Sequence, residues 1–289
     1  MNSKPYIGII GGSGIYELEN LKNTKWIKEK SLYGKPSDDI FTGTMNGLNL
    51  AFLPRHGRSH NLLPSSINYR ANIDCLKKIG VTDIISLSAV GSLKAKIKPG
   101  QFVIVDQFID RTISRKKTFF DEGIVAHVSM AKPTSERLSK IILEATNKNI
   151  EIINGGTYLA MEGPQFSTLA ESKLYRSWNC DVIGMTNMPE AKLAREAEMP
   201  YATIAMVTDY DCWHPEHESV TVENIIKILN SNSEKAKSLV KNIIEYISDH
   251  EWSSDDPAYT ALDNAIITPV NARPDKAIEK IKNIAKRVL

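Results

Sequence analysis

Polar side chains suited to binding a small anion follow three apolar runs of this 289-residue chain. Arg55 and His56 come after one run, Ser88 and Ala89 end another, and Thr186 follows a third. In open α/β proteins, ligands gather at the carboxyl ends of strands. A guanidinium, an imidazole, hydroxyls and backbone amides there suit a tetrahedral phosphate. Singly, these residues are better explained by a surface ion pair and turn caps, but together they favour a phosphate site.

A glycine turn near the start of the chain, residues 9–16 (IIGGSGIY), could join the same site. The dinucleotide fingerprint fails, because its last glycine, counted from Gly12, falls on Glu17, a carboxylate that would repel pyrophosphate. The Gly-Lys-Ser/Thr ending of a P-loop is also missing. What remains is a turn that brings backbone N–H groups and the Ser13 hydroxyl near a small anion. The alternative is a strand-to-helix turn without a ligand.

Two carboxylates, Asp209 and Asp211, follow the apolar run at residues 201–208. On an extended segment, side chains at i and i+2 point the same way. Tyr210, Cys212 and Trp213 would shield at least one carboxylate from water. A desolvated aspartate beside another carboxylate has a raised pKa, so it can donate a proton near pH 7. The alternative is an Asx turn that closes the strand.

Histidine spacing does not predict a metal site. His56 and His60 are four residues apart, as zinc ligands on a helix can be. Gly57 argues against a helix there, and no acidic ligand lies beside them.

Strands and helices alternate along most of the chain, which predicts an α/β fold. We expect strands at residues 6–10, 48–53, 83–90, 102–108, 157–161, 181–185 and 201–208. We expect helices at residues 66–80, 168–178, 190–198, 221–247 and 275–288. Thr168 and Glu171 form a capping-box pattern at the start of the second helix. Residues 1–252 are predicted to form one domain, and residues 253–289 a C-terminal extension that packs on or near it and ends in a helix.

The composition is that of a globular protein, with 42% hydrophobic and 24% charged residues. A net charge of +2 gives no reason to expect nucleic acid or an anionic membrane as partner. No run of about 18 apolar residues predicts a membrane span, and the start of the chain lacks a signal-peptide pattern. Cys75, Cys180 and Cys212 are odd in number and widely spaced, as in a reducing cytoplasm, where we expect the protein to be.

Motifs along the chain resemble those of the methylthioadenosine phosphorylases in the trimeric nucleoside phosphorylase family. They are IIGGSGIY, LPRHGRSH, PSSINYRANI, SAVGSL, PGQFVIVDQFIDRT, MEGPQFST, GMTNMPEAKLAREAE and MVTDYDCW. The resemblance covers residues 7–252 and is weak beyond residue 253. It implies a nucleoside phosphorylase-like mixed sheet flanked by helices and a homotrimer. It also implies phosphorolysis of methylthioadenosine to adenine and 5-methylthioribose 1-phosphate, with phosphate as co-substrate and no metal or organic cofactor.

The resemblance assigns roles to residues in the matching motifs. For phosphate it implies Ser13, Arg55, His56, Ser88, Ala89 (through its N–H) and Thr186. For the nucleoside it implies Met185 at the ribose, Phe166 on the purine ring, Asp209 and Asp211 at the base edge, and Ser167 and Val222 at the 5′-alkylthio group. Protonated Asp209 would act as general acid at adenine N7. His127 would reach the site of a neighbouring subunit.

Gly184 departs from the family pattern, because several members have asparagine there. Relatives that cleave methylthioinosine also carry Gly-Met-Thr at this place. Asp209 and Asp211 favour adenine, because its N6 amino group is a donor that a carboxylate accepts, whereas a 6-oxo base needs an amide donor. We therefore expect a preference for 6-amino purines. The alternatives are a 6-oxopurine nucleoside phosphorylase, a hydrolytic nucleosidase and a purine-binding protein without turnover.

Overall fold

A computed structural model describes residues 4–12, 14–214 and 222–289, except for the side chains at 222–227 and 229. The strands are β1 (Tyr6–Gly11), β2 (Lys22–Ile27), β3 (Ile40–Met45), β4 (Leu48–Pro54), β5 (Asp83–Ser92), β6 (Phe102–Val105), β7 (Gln107–Asp110), β8 (Ile152–Asn154), β9 (Thr157–Ala160), β10 (Val182–Gly184) and β11 (Tyr201–Asp209). The α-helices are α1 (Tyr69–Lys78), α2 (Glu136–Glu144), α3 (Leu169–Ser177), α4 (Asn187–Glu196), α5 (Val222–Asp249) and α6 (Asp275–Ile281).

These strands form one mixed sheet in which β5 is the central, branching strand. β5 pairs in parallel with β1 and β11, and antiparallel with β10. From there the sheet continues through β4, β3 and β2 on one side, through β9 and β7 on another, and through β6 and β8 beyond β11. The predicted α/β fold with a central mixed sheet flanked by helices is confirmed.

A gap opens along one edge of β5. β1 pairs with residues 83–86 of β5, and β10 approaches from the opposite direction to pair with Gly91 and Ser92. β11 pairs with residues 84–91 and therefore occupies the other edge. Residues 87–90 are thus left between the ends of β1 and β10. We call this space the β5 gap.

Apolar clusters cover both faces of the sheet. One cluster joins α1 and α4 to the sheet and includes Leu76 and Leu193. The other joins α2 and α5 to the sheet and includes Leu138 and Leu239. With helices on both faces, the central strands are almost continuously apolar rather than alternating, which is why they could be predicted from the sequence.

Some strands and one helix were missed by the sequence analysis. β2 is largely exposed, so its apolar pattern is weak, and β3, β8 and α2 were also not predicted. The strand predicted at residues 102–108 is two strands, because β6 pairs with β11 and β8 whereas β7 pairs with β9. Asp106 lies at the break and accepts a hydrogen bond from the N–H of Gly156. A continuous apolar run does not show where a strand changes partner.

Residues 253–289 pack against the rest of the chain. Leu262, Ile281 and Ile284 are buried in the same cluster as α1 and α4. The Tyr259 hydroxyl donates to Asp83 Oδ2 at 2.8 Å, and Arg287 pairs with Glu198. The last helix, α6, is shorter than predicted. The boundary between residues 252 and 253 stays a prediction.

A buried ion pair joins the end of β4 to α4 beside the β5 gap. Arg55 is 2% exposed and Glu190 is 1% exposed. Arg55 Nε donates to Glu190 Oε2 at 2.7 Å, and Nη2 donates to Oε1 at 2.9 Å. The hydroxyls of Ser86 and Tyr201 also donate to Glu190 Oε1. A bidentate pair with extra donors is the arrangement that can keep two opposite charges out of water.

Replacing Arg55 by alanine should lower the free energy of unfolding by roughly 3–5 kcal/mol, because it leaves the Glu190 carboxylate buried without a cation. The double variant R55M/E190Q should recover most of this loss, since it removes both charges. Urea unfolding at neutral pH measures both effects.

The matched control is Lys132→Ala, which removes an ion pair with Glu136 whose two side chains are each 76% exposed. It should change stability by no more than about 0.5 kcal/mol. A loss in Arg55→Ala no larger than in this control would mean that the buried pair does not stabilise the fold.

Candidate active site

Ser88 and Thr186 meet in the β5 gap. Their hydroxyl oxygens are 3.1 Å apart, and both residues are buried. The antiparallel register of β10 on β5, continued past Gly184, places Thr186 opposite Ser88. Thr186 stands at the N-cap of α4, but its side chain makes no capping hydrogen bond. Its hydroxyl is therefore directed into the gap, and the turn-cap explanation does not hold for Thr186.

Ala89 follows Ser88 on β5, and His56 follows Arg55 at the end of β4. Ala89 is the only exposed residue of β5. His56 is half-buried, and its Nδ1 lies 2.8 Å from the carbonyl oxygen of Leu62. A carbonyl only accepts, so Nδ1 carries the hydrogen. Burial lowers the pKa of His56 to about 4. The ring is therefore neutral, with a lone pair at Nε2.

Arg55 is at the predicted place but does not offer a free fork. Its Nε and Nη2 hold Glu190, and Nη1 donates to the carbonyl of Leu87 at 3.0 Å. Among the described residues, only the second N–H of Nη1 has no acceptor. Most of the guanidinium is engaged, because a buried cation must be neutralised by the protein. The predicted role of Arg55 in phosphate binding stays a prediction. The surface ion pair considered as an alternative is wrong, because the pair is buried.

The glycine turn reaches the same edge of the sheet. Gly11, the last residue of β1, accepts a hydrogen bond from the backbone N–H of Arg55 at 2.9 Å. The turn that follows β1 therefore begins beside the start of the Arg55–His56 segment. Ser13 lies outside the described residues, so its predicted role stays a prediction.

Asp209 and Asp211 are held together by a turn. Asp209 Oδ1 accepts the backbone N–H of Asp211 at 2.8 Å, which is an Asx turn. Asp211 has a φ of +52°, so the expectation of an extended segment through both residues is wrong. Burial nevertheless raises the pKa of both carboxyl groups. Among the described residues, Asp211 Oδ2 has no hydrogen-bond partner and could accept from a ligand.

The hydrogen bond made by the Thr208 hydroxyl affects the protonation state of Asp209. Its hydroxyl oxygen lies 3.1 Å from the carbonyl oxygen of Val90 and 2.6 Å from Asp209 Oδ2. A hydroxyl has one hydrogen and cannot donate to both. If it donates to the Val90 carbonyl, which can only accept, the 2.6 Å contact requires a hydrogen on Asp209 Oδ2. If it donates to Asp209 Oδ2, the shorter contact, it lowers the pKa of Asp209, but burial raises that pKa more and the net shift is upward.

The segment that follows β9 lies next to the aspartates. The Cys212 thiol donates to the Ser167 carbonyl oxygen, with Sγ and O 3.3 Å apart. Phe166 is 48% exposed, so its ring is accessible to a planar ligand. Gly163 has a φ of +67°, and a Cβ there would lie 2.5 Å from Met185 Sδ. The loop after β9 therefore contacts the aspartate segment through Ser167 and Met185 through Gly163.

The described residues do not test the predicted roles of His127 and Val222. The His127 side chain is exposed, and its backbone N–H donates to Ala265 in the C-terminal extension. The Val222 side chain lies outside the described part of the structure.

Arg115 and Tyr158 were missed by the sequence analysis. Buried Arg115 donates to the carbonyl oxygens of Met185 at 2.6 Å and Glu162 at 2.8 Å, so it joins the loops after β9 and β10. Tyr158 lies against Ser88 in the β5 gap. The only sequence signal for Tyr158 was a hydroxyl-bearing side chain within an apolar strand, and Arg115 gave none.

Other kinds of site find little support in the described residues. No group of three or more His, Cys, Asp or Glu side chains is arranged to hold a metal ion in the parts of the chain that the structure describes. None of the described helices is long and apolar enough to cross a membrane.

Comparison with known proteins places this geometry in a family. The model of the phosphorylase superfamily matches residues 6–245. An S-methyl-5′-thioadenosine phosphorylase from Rhodospirillum rubrum is 55% identical over 99% of this chain and 98% of its own length. A protein of the same name from Cereibacter sphaeroides is 52% identical over 99% of each chain.

Solved structures agree with the sequence comparison. A methylthioadenosine phosphorylase from an Antarctic soil metagenomic library superposes with a TM-score of 0.91 at 45% identity, covering 97% of this chain and 99% of its own. The methylthioadenosine phosphorylase of Schistosoma mansoni in complex with adenine gives a TM-score of 0.81 at 32% identity, covering 94% and 100%. The chain belongs to the phosphorylase superfamily and, within it, to the family of the S-methyl-5′-thioadenosine phosphorylases.

Proposed function

We propose that the protein catalyses the phosphorolysis of S-methyl-5′-thioadenosine to adenine and 5-methylthio-α-D-ribose 1-phosphate. The observation that carries the proposal is the pair of hydroxyls in the β5 gap, those of Ser88 and Thr186. Ser88 lies on β5, the strand that also pairs with Asp209. Asp209 pairs with Gly91, three residues beyond Ser88, which is about 10 Å along a strand. A ribose can bridge phosphate and base over this distance.

In the proposed reaction the protein positions phosphate rather than supplying a nucleophile of its own. A phosphate oxygen attacks the anomeric carbon while the bond from that carbon to adenine N9 breaks and its electrons move to the base. Ser88, Thr186 and the N–H of Ala89 hold the phosphate, and Arg55 contributes the remaining N–H of Nη1. Holding the nucleophile in line with the bond that breaks can lower the barrier by several kcal/mol.

Asp209 stabilises the leaving base in this proposal. Adenine gains negative charge as the glycosidic bond stretches, and protonated Asp209 donates its hydrogen to N7. Asp211, whose Oδ2 has no partner among the described residues, accepts from the N6 amino group. The two aspartates thus divide donation and acceptance between them, which a 6-oxo base would not match.

Neutral His56 is proposed to select the form of phosphate that carries one hydrogen. Its Nδ1 hydrogen is held by the Leu62 carbonyl, so Nε2 can only accept. Hydrogen phosphate carries one O–H group, which can donate to Nε2 and leave the unprotonated oxygens to the hydroxyl and N–H donors.

The reaction needs no metal or organic cofactor, because phosphate is itself the nucleophile.

We further propose a homotrimer with His127 at the subunit boundary. The His127 segment pairs with the C-terminal extension through an antiparallel bridge between Ala126 and Ile266. Large apolar side chains on this pair of segments are exposed: Val125 by 46%, Ile267 by 63% and Val270 by 75%. Cyclic symmetry would cover such a surface with a different surface of the next subunit.

A cytoplasmic location is proposed because all three cysteines are free.

Adenine release from methylthioadenosine should require inorganic phosphate. Ser88→Ala should raise the phosphate KM by roughly tenfold or more, because a hydrogen bond to a charged group contributes about 1.5–3 kcal/mol. Product analysis with and without phosphate tests the first point, and steady-state kinetics tests the second.

Ser248→Ala, which removes a hydroxyl on α5, is the control and should leave the phosphate KM unchanged. Undiminished adenine release in phosphate-free buffer would identify a hydrolase instead. Tight nucleoside binding without any release would identify a purine-binding protein.

Asp209→Asn should lower kcat by roughly 10²–10⁴, because an amide can donate a hydrogen bond to N7 but cannot give up a proton. It should also improve methylthioinosine relative to methylthioadenosine, because an amide can donate to O6. In the wild type, kcat should fall as pH rises through the pKa of Asp209, which burial raises.

The measurement is kcat/KM for both nucleosides, with the exposed Asp255→Asn as control. A wild-type preference for methylthioinosine would mean that the aspartates do not select a 6-amino base.

Light scattering should give three times the chain mass of 32.2 kDa. Ile267→Asp with Val270→Asp should dissociate the trimer without unfolding the subunit, because both side chains are exposed in the single chain. His127→Ala should raise the nucleoside KM and spare the phosphate KM. A fully active monomer would contradict the proposed assembly.

A further inference from the structure

Tyr158 brings a phenol hydroxyl into the β5 gap. It lies on β9, is fully buried, and its ring packs against Phe108 with centroids 5.6 Å apart. Its Oη lies 3.1 Å from Ser88 Oγ and accepts from the backbone N–H of Thr186 at 3.5 Å. Tyr158 therefore contacts both residues whose hydroxyls meet in the gap.

Tyr158 excludes any side chain from position 184. β9 and β10 are paired in parallel, and Tyr158 lies opposite Val182, two residues before Gly184. A Cβ at Gly184 would lie 1.9 Å from Tyr158 Oη, 2.6 Å from its Cζ and 3.2 Å from Val90 Cγ1. The first two distances are too short for non-bonded atoms. The glycine at 184 is therefore explained by the tyrosine at 158, without reference to which purine the site binds.

We propose that Tyr158 is a positioning residue that orients the Ser88 hydroxyl towards bound phosphate, and that Gly184 provides the space the phenol needs. In this proposal the phenol, whose Oη already accepts from the Thr186 N–H, is the donor across the 3.1 Å contact with Ser88 Oγ. The hydrogen of Ser88, for which the described chain offers Thr186 Oγ1 at 3.1 Å and the Ala89 carbonyl oxygen at 3.4 Å, is then available to a stronger, charged acceptor. A phosphate oxygen in the gap would be that acceptor. This inference rests on the proposed phosphate site.

The arrangement favours a donor oriented before phosphate arrives. Ser88 and Thr186 are buried, so few waters compete for their hydroxyls. Burial also raises the pKa of Tyr158, which keeps its hydrogen on the oxygen near neutral pH. Donors that are oriented in advance need no reorganisation when charge arrives. Loss of the phenol hydroxyl should therefore weaken phosphate binding more than it weakens the fold.

The first test is Tyr158→Phe, which keeps the ring and its contact with Phe108. The phosphate KM should rise about tenfold, the effect of one hydrogen bond of ordinary strength. The KM for methylthioadenosine and the melting temperature should stay close to wild type. The control is Tyr33→Phe, which removes the hydroxyl of another buried tyrosine, bonded to the Lys280 carbonyl at 3.2 Å. This control should leave the phosphate KM unchanged.

The second test addresses the space at residue 184. Gly184→Ala should lose at least about 100-fold in kcat/KM for phosphate, or fail to fold, because of the overlap with the phenol. The double variant G184A/Y158L removes the overlapping atoms. It should fold and should exceed the activity of Gly184→Ala at least tenfold. Its phosphate KM should stay raised, as in Tyr158→Phe.

The outcomes separate this inference from the proposed function. A wild type that needs no phosphate would overturn the proposed function. A phosphate-dependent wild type, with an unchanged phosphate KM in Tyr158→Phe, would overturn the positioning role alone. A fully active Gly184→Ala would show that the phenol does not require a glycine at 184.

Discussion

The site depends on keeping a cation buried beside the β5 gap. Arg55 cannot lie in the interior without an opposite charge, and Glu190 supplies it through two hydrogen bonds. Because Arg55 follows β4 and Glu190 lies on α4, the ion pair joins the β1–β4 side of the gap to the helix that begins next to Thr186. The two sides of the gap therefore cannot separate without breaking the pair. Together with hydrogen bonds to Ser86 and Leu87, this pair leaves one guanidinium N–H, on Nη1, without an acceptor in the described part of the chain.

β5 gives the site its second constraint, because this one strand positions both the anion-binding residues and the base-binding aspartate. Residues 87–90 are unpaired on one edge, where Ser88 and Ala89 face the gap. On the other edge, β11 runs alongside and carries Asp209 to a position opposite Gly91. Anion-binding and base-binding groups are thus held at a separation set by the rise of a single strand. A rigid central strand is well suited to that task, since a small misplacement of reacting groups can cost a large factor in rate.

The sequence predicted the central strands well and the edges poorly, for reasons visible in particular elements. β1, β4, β5 and β11 are covered on both faces and read as continuous apolar runs, whereas β2 is largely exposed and has little pattern. The capping box at Thr168 and Glu171 was predicted correctly, because it depends on residues three apart. The fit of Tyr158 to Gly184 and the pairing of Arg55 with Glu190, 135 residues away, left no such local pattern.

The sequence by itself determined which chemical groups are available and that they follow strand ends, because motif residues lie next to one another in the chain. It also determined the family, through motifs in a fixed order. Only the tertiary structure decided which hydrogens those groups can still offer. Arg55 gives two of its five N–H donors to Glu190. The Thr186 hydroxyl contacts Ser88 instead of capping its own helix, and Asp209 accepts the N–H of Asp211. Each donor or acceptor in a buried site is used by whichever partner the fold brings nearest, and sequence separation does not show which partner that is.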